Sequence, residues 1–412
     1  MDVVAWRAML LLMALALLPF NVEMKLAEYG GVGDLQHRIS YFPFDIPLLL
    51  LTFLSVPPIL RTPRGAARRF LLISAAFLAL VAVALAFNPS PRGFQVLIRT
   101  VVNVVVPVVT WITLPSSWQR RAVQVLVGSA ALQSVVAVAQ VVRGEPLGLT
   151  LLGEHSWLDV FADVSAAKGT FVHRHVLAAF ALLAYGAATI SYLGSRARVW
   201  LLALAIVVIP IGITYSRMAA LGVIAVAGVL IIAWFRERKE VFPVLVALIV
   251  GVGIPGLLTL DSWIGRAEPI AAESFGDAIT NNRVTLAKQA LDLIADAPIV
   301  GVGPGLYNLE LEEQLGADEG EQVLPVHLVP LLVAAETGIP AGVFILVVMG
   351  GLGWAAGRRG TARVAVYVAY LPFLIFDHFP YDDFQGLTMT GIWMALILVP
   401  FDNERRRAIS EL

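Results

Sequence analysis

Six basic side chains stand at or near the ends of long apolar segments, where a charge is costly and is therefore a candidate for function. They are Arg99, Arg174, Arg217, Arg283, His327 and His378. Arginine binds phosphate oxygens through paired hydrogen bonds and does not titrate, so it can stabilise the charge on a leaving diphosphate. A histidine with a pKa near neutrality can take a proton from an attacking hydroxyl. Together these residue types predict capture of a diphosphate and its displacement by a hydroxyl group.

Each of these residues also has a structural interpretation. Arg99 could extend its charge to the membrane surface, and a lone histidine such as His327 is usually an ordinary interfacial residue. His378 could form a hydrogen-bonded pair with the adjacent Asp377. Arg283 favours function, because a cation in the first turn of a helix opposes the helix dipole. No Asp or Glu stands around these residues with the spacing of a metal site, so we predict chemistry without a metal or cofactor.

The composition indicates that membrane helices carry these residues. The 412 residues are 58% hydrophobic and 14% charged, whereas soluble proteins contain about 25% charged residues. The mean hydropathy is +0.82, and the apolar residues occur in long blocks. This excludes a cytosolic enzyme, a disordered chain and a nucleic-acid-binding protein. The absence of cysteine excludes disulfides, thiolate catalysis and cysteine-based metal sites.

An apolar block of about 20 residues is long enough to cross a membrane as a helix. The sequence contains about twelve such blocks, which predicts an all-α polytopic fold. They lie at residues 3–20, 44–60, 70–88, 96–114, 122–142, 170–193, 199–215, 218–235, 241–260, 338–356, 362–379 and 384–401. No convincing cleavage site follows Phe20, so the first block is interpreted as a retained helix and not as a signal peptide.

The net charge of −1 arises by cancellation, because the two signs are segregated along the chain. Most Lys and Arg near block ends fall in alternate connections, and most acidic residues fall in the others. Cation-rich connections stay in the cytoplasm, so we predict cytoplasmic N- and C-termini and place all six basic candidates at the outer face. The predicted divisions are residues 1–260 with helices 1 to 9, an outer loop at 261–337, and residues 338–412 with the last helices and a cytoplasmic tail.

The outer loop at 261–337 is the only connection large enough to contain structure of its own. Residues 281–296 are predicted to form an amphipathic helix at the membrane surface, capped by Thr280 or Asn281. Its predicted apolar face consists of Val284, Ala287, Leu291 and Ile294.

Three further segments of the loop follow this helix. The letters GVGPG at 301–305 predict a structural turn and not a phosphate-binding loop, because no strand precedes it and its proline lacks a backbone donor. The acidic run at 310–321 is interpreted as a solvated loop, with weak divalent-cation binding as the alternative. A second short helix is predicted at 325–337.

The order of motifs resembles the O-antigen ligase family. These motifs are TYSRMAALG, then NNRVTLAKQALDLIADAPIVGVGPGLYN, then VLPVHLVPLLVAAETGIPAG, and finally FDHFPYDDFQG. The resemblance implies an inverting, metal-independent membrane glycosyltransferase of the GT-C type at the outer face of the bacterial inner membrane. Its donor would be a glycan on undecaprenyl diphosphate, and its acceptor a hydroxyl of lipid A-core, of another glycan or of a protein.

The resemblance also assigns roles to individual residues. It implies that His327 is the essential histidine, acting as base or orienting the acceptor, and that Arg217 and Arg283 hold the diphosphate. Leu328 departs from the family pattern, which often has Asn after the histidine. The polar start of the sixth block, normally rich in Asn, contains Arg174, which is therefore a candidate to share the phosphate role with Arg99 and His378.

Two alternatives remain open at this stage. A polysaccharide polymerase would perform the same chemistry with a lipid-linked glycan as acceptor, and these motifs do not separate it from a ligase. A flippase of lipid-linked glycan would line a path through the membrane with polar groups. The middle of the blocks is nearly free of such groups, which favours an enzyme.

Overall fold

Apolar helices dominate the structure, a computed structural model, and short hairpins occur only in two connections among the residues it describes. The described residues are 2–28, 38–60, 65–161, 164–236, 239–265, 283–315 and 323–400. The helices are α1 Val3–Leu17, α2 Asp45–Leu60, α3 Ala66–Phe87, α4 Pro91–Arg99, α5 Val106–Thr113, α6 Ser116–Arg143, α7 Arg174–Ser195, α8 Val199–Val207, α9 Ile209–Ile213, α10 Arg217–Phe235, α11 Phe242–Leu258, α12 Arg283–Asp296, α13 Tyr307–Leu315, α14 Val329–Thr337, α15 Ile339–Arg359, α16 Thr361–Phe376, α17 Phe379–Asp382 and α18 Phe384–Leu398. A π-helical stretch, Thr100–Val105, joins α4 to α5, and the antiparallel hairpins pair β1 Met24–Glu28 with β2 Arg38–Tyr41 and β3 Asp159–Phe161 with β4 Val164–Ala166.

The membrane-spanning character predicted from hydropathy is confirmed. Within the described ranges, 7 helical segments are long and apolar enough to cross a membrane, and shorter apolar helices account for the remaining predicted blocks. The shorter ones are Val3–Leu17, Asp45–Pro58, Val199–Ile213, Thr361–Phe376 and Phe384–Leu398. The chain is therefore an all-α, multi-pass membrane protein, and each predicted block corresponds to one of these helices.

Helix α7 lies at the centre of the bundle and is buried on every side for most of its length. It contacts α6, α8, α10, α16 and α18. A helix that is apolar all round is expected to be enclosed by other helices. Because α7 begins at Arg174, the bundle fixes the position of that residue.

Helices α10 and α16 form the most extensive helix pair and bring two motif regions together. The backbones approach closely at Gly222, where a Cβ atom would lie 2.7 Å from the Ala369 carbonyl oxygen. Small residues permit such close approach between membrane helices. The start of α10 and the end of α16 therefore meet, and Arg217 lies near the segment that contains Asp377 and His378.

The outer loop forms a small core of its own. The predicted amphipathic helix is present as α12, but the predicted apolar face is wrong, because Val284 and Leu291 are exposed. The buried stripe instead has the spacing i, i+4, i+7 and i+8, which packs against α14. Its residues are Leu286, Ala290, Leu293 and Ile294. The predicted caps Thr280 and Asn281 lie outside the described residues, as do 316–322 of the acidic run and the tail at 401–412.

The turn at 301–305 joins this loop core to the end of α14. Val302 N–H donates to Ala335 O and Gly303 N–H to Glu336 O, both at 2.9 Å. Gly301 has a φ of +69°, and a Cβ atom there would lie 2.3 Å from the Glu336 carbonyl carbon. Only glycine fits this position, for reasons of packing and not of phosphate binding.

Candidate functional site

One buried carboxylate, Asp377, lies at the centre of the basic residues that the sequence singled out. It follows α16 directly and is 7% exposed. Burial lowers the pKa of His173, Arg283 and His327, and the negative charge of Asp377 opposes this lowering at each; it also contributes to the raised pKa of His378. We call Asp377, His378, His327 and Arg283 the Asp377 cluster.

His327 is arranged as a neutral base. Its Nδ1 lies 2.9 Å from the Pro325 carbonyl oxygen, which can only accept, so Nδ1 carries the proton and Nε2 has the free lone pair. Burial lowers the pKa of His327, and the positive charge of His378 lowers it further. The ring is therefore unprotonated at neutral pH and can accept a proton through Nε2.

His378 is arranged in the opposite way, as a cation. Its ring centroid lies 4.8 Å from that of His327, and its Nδ1 lies 2.8 Å from Asp382 Oδ2. Burial lowers its pKa, but the charge and hydrogen bond of Asp382 outweigh this and raise the pKa to about 9. The sequence predicted Asp377 as the partner of His378. The structure shows Asp382 instead, because the helical turn from His378 through α17 brings residues 378 and 382 onto one face. Asp377 Oδ1 accepts the backbone N–H of His378 at 2.9 Å.

Two arginines approach this histidine pair from different elements. Arg283 begins α12 and donates from Nη2 to the Phe376 carbonyl oxygen at 2.9 Å, which fixes its guanidinium beside Asp377. Arg217 begins α10, directly after the capping residue Ser216. Burial lowers the pKa of Arg283, Asp377 opposes this, and the nearby charge of Arg217 lowers it again. Two guanidiniums whose charges act on each other create a favourable place for an anion.

Arg174 contacts protein groups that hold the start of α10 in place. Its Nη1 donates to the carbonyl oxygens of Thr214 and Tyr215, both at 3.1 Å, and its Nε lies 3.0 Å from Asp159 Oδ2. Tyr215 has a φ of +50°, a costly conformation for a bulky residue that needs such external support. Arg174 therefore positions Arg217 by holding the bend before it, and its phosphate-binding role stays a prediction.

A second carboxylate, Asp159, organises this neighbouring group of charges. Lys168 Nζ lies 3.6 Å from Asp159 Oδ1 and 3.1 Å from the centre of the Trp157 ring. Burial and the charge of Arg174 lower the pKa of His173 to about 4, so that histidine is neutral. We call Asp159, Lys168 and Arg174 the Asp159 cluster.

Arg99 is engaged in a different place, two helical turns into α4. Its Nη1 lies 2.5 Å from Asp45 Oδ2, its Nη2 donates to the Ser40 carbonyl, and its guanidinium lies 3.9 Å from the centre of the Phe384 ring. These contacts anchor α4 to the start of α2. The predicted substrate contact of Arg99 stays a prediction.

Several residues with evident roles were absent from the sequence-based set. Asp159 and Lys168 were missed because the fold brings them together with Arg174, whereas Asp382 was missed although it follows its partner His378 by four residues. Arg92 was also missed, although it carries the signal used for Arg283: a cation in the first turn of a helix.

The cluster also has the composition of a possible cation site. One ligand atom from each of His327, Asp377 and His378 lies within 4.8 Å of the others. The sequence showed no acid with the spacing of a metal ligand, but the fold brings Asp377 close to both histidines. A metal on His378 would have to displace the Nε2 proton of its imidazolium, because Nδ1 is held by Asp382.

Comparison with known families gives a match to part of the chain. Residues 202–346 match the O-antigen ligase family. The resemblance predicted from the motifs is thereby confirmed over this O-antigen ligase region, which contains Arg217, Arg283 and His327. His378 lies outside the matched residues, on the segment after α16. No curated protein sequence matches the chain.

Proposed function

We propose that this chain is a glycosyltransferase that moves a glycan from undecaprenyl diphosphate to an acceptor hydroxyl at the outer face of the inner membrane. The observation that carries the proposal is the pairing of a neutral with a cationic histidine beside two arginines. Titratable neighbours whose environments push their pKa values apart are typical of acid–base sites. The match to the O-antigen ligase family supports the same class of chemistry.

The proposed reaction is a single displacement. The acceptor oxygen attacks the anomeric carbon, the bond from that carbon to the diphosphate oxygen breaks, and the hydroxyl proton passes to His327 Nε2. The electron pair of the broken bond leaves with the diphosphate. Arg217, Arg283 and the His378 imidazolium stabilise that charge as it develops, which is the term that usually contributes most to catalysis.

A cavity at the level of the membrane helices offers a place for the lipid part of the donor. It lies between α3, α15 and α18, holds roughly 810 Å³ of space including its opening, and is almost entirely apolar. Phe70, Phe77 and Phe344 line it, and Pro380 and Tyr381 close the end nearest His378. A polyprenyl chain in this cavity would place its diphosphate beside the Asp377 cluster.

The proposal places the six basic candidates outside the cytoplasm and both termini inside it. The same assignment treats residues 261–337 as the loop that covers the site. Cysteine-accessibility labelling in intact cells tests it, because the chain has no native cysteine. A cysteine at Leu315 should react with a membrane-impermeant reagent, whereas one at Ser195 should not.

The activity test uses purified full-length protein in lipid with a defined undecaprenyl diphosphate glycan. We expect release of undecaprenyl diphosphate in step with product, and we expect EDTA to leave the rate unchanged. If EDTA abolished activity and Mg²⁺ or Zn²⁺ restored it, the cluster would act with a bound metal ion and not through its protons. Lipid A-core, a protein and a second lipid-linked glycan as acceptors distinguish ligase from polymerase. Movement of donor across the membrane without product would indicate a flippase.

A further inference from the structure

A polar cavity adjoins the Asp377 cluster at Asp382 and Pro325. It is bounded by α4, the turn at 301–305, α13, α14 and the Asp382 end of α17, and encloses roughly 590 Å³ including its opening. Pro325, whose carbonyl holds His327, and Asp382, whose carboxylate holds His378, both line it. Tyr381 and Leu387 line both this cavity and the apolar one, so the two adjoin.

The cavity contains buried hydrogen-bonding atoms that lack a partner among the described residues. They include Arg92 Nε, Gln95 Nε2, Asn308 Oδ1, Tyr381 Oη and Glu336 Oε2, of which the last two lie next to each other. Gln95 is 8% and Glu336 3% exposed. An unpaired buried polar atom destabilises the folded protein, and several at one place indicate a ligand that supplies the missing bonds.

These atoms include both hydrogen-bond donors and acceptors, which restricts the chemistry of the ligand. Arg92 and Gln95 offer N–H groups, whereas Asn308 and Glu336 offer oxygens. A sugar hydroxyl both donates and accepts, so a sugar ring satisfies such a mixed set. A phosphate group has only acceptors and would leave the two oxygens unpaired.

The charges around the cavity lead to the same choice. Arg99 is paired with Asp45 at 2.5 Å and Asp382 with His378 at 2.8 Å. This leaves the Arg92 cation beside the Glu336 carboxyl, so the cavity is close to neutral. A diphosphate would be attracted by the Arg92 cation but repelled by the Glu336 carboxyl, whereas an uncharged ligand meets no such repulsion.

We propose that this cavity binds one sugar unit of a glycan substrate, with Gln95, Asn308, Arg92 and Glu336 as its hydrogen-bonding groups. The inference deepens the proposed function and rests on it for the identity of the substrate as donor or acceptor glycan. Binding of the sugar itself is independent of turnover.

The direct test is saturation-transfer NMR of the full-length protein in detergent with methyl glycosides of glucose, galactose, mannose, rhamnose and N-acetylglucosamine. At least one should bind, and Gln95→Leu and Asn308→Leu should each weaken it by about tenfold, as expected for a lost buried hydrogen bond. Gln314→Leu is the matched control, because Gln314 is exposed on α13 and lies outside the cavity. Absence of binding by all five sugars, equal binding by the variants, or displacement of the sugar by inorganic pyrophosphate would overturn the proposal.

The KM values for the two substrates then show whether the bound sugar belongs to the donor or to the acceptor. If Gln95→Leu raises KM for the lipid-linked donor, the cavity holds a donor sugar; if it raises KM for the acceptor, it holds an acceptor sugar. Either result supports the cavity, and unchanged values for both overturn it. A protein that binds the sugars through Gln95 but transfers none would refute the proposed function and leave this inference standing. Asn308→Leu gives an independent reading if Gln95→Leu fails to fold.

Discussion

The Asp159 and Asp377 clusters each set a carboxylate against basic side chains, yet their charges are balanced differently. In the Asp159 cluster, Arg174 has a carboxylate and two carbonyl oxygens within 3.1 Å. In the Asp377 cluster, one carboxylate acts on three basic groups, and among the described residues only His378 of these three forms an ion pair with a second acid. The first arrangement holds the fold together, whereas the second retains positive potential for an anionic ligand.

The largest expected effect comes from removing the proposed base. His327→Ala should lower kcat by about 10²–10⁴-fold, the contribution typical of general base catalysis. The melting temperature in detergent should stay close to that of the wild type. His155→Ala is the matched control, because His155 belongs to neither cluster. Full turnover by the His327 variant would remove it from the reaction.

The opposite outcome is expected in the Asp159 cluster. Arg174→Gln removes the nearer of the two cations beside Asp159 and the support of the Tyr215 bend, and breaking a buried pair costs about 3–5 kcal/mol. The free energy of unfolding should fall by that order, with KM for the donor nearly unchanged in the folded fraction. A large rise in KM at unchanged stability would move Arg174 into the ligand-binding group.

Arg217 tests the anion site with a smaller change. Arg217→Lys keeps the charge and loses the paired hydrogen bonds to a phosphate, so KM for the donor should rise by about tenfold with little change in stability. Arg196→Lys serves as control, because Arg196 follows the C-terminal end of α7, whereas the site lies near the N-terminal end of that helix. Equal KM values in the wild type and the Arg217 variant would argue against a bidentate phosphate contact.

The sequence was sufficient for the elements but not for the charge pairs. Block length and hydropathy identified the membrane helices, and the topology placed His327, Arg283 and His378 on one face. Hydropathy does not specify which helices are neighbours, so it could not show that Arg99 meets Asp45. The i, i+4 spacing of His378 and Asp382 was visible, but it acquires meaning only with the short helix Phe379–Asp382.

The prediction of the apolar face of α12 was wrong for a related reason. Both stripes of this helix carry apolar residues at helical spacing, and periodicity alone gives no preference between them. The stripe that contains Leu293 packs against α14, whereas Val284 and Leu291 remain exposed. Contact with the following helix in the loop decided which stripe is buried.

The pH dependence of activity probes the cation in the Asp377 cluster. His378 has a pKa raised to about 9, so the wild-type rate should fall as pH rises through that value. In Asp382→Asn the chief raising charge is gone, and the fall should occur at a lower pH. The raised pKa also stabilises the folded protein below about pH 6.5, and this contribution is lost as pH rises towards 9. An identical alkaline limb in both proteins would contradict the role of Asp382.

The smallest effect concerns Glu336, which lies outside both clusters. Burial raises its pKa to about 7, so the folded protein binds a proton that the unfolded chain releases near pH 4.5. Stability should therefore fall as pH rises from about 4.5 to 7, by a few degrees in melting temperature. Glu336→Gln cannot ionise, and its melting temperature should lack this decline, while Glu313→Gln, on the exposed face of α13, should keep it. A parallel decline in wild type and Glu336→Gln would mean that another group carries the pH dependence. Glu336 would then be ionised in the folded protein across this pH range, where its charge balances the Arg92 cation that lines the same cavity.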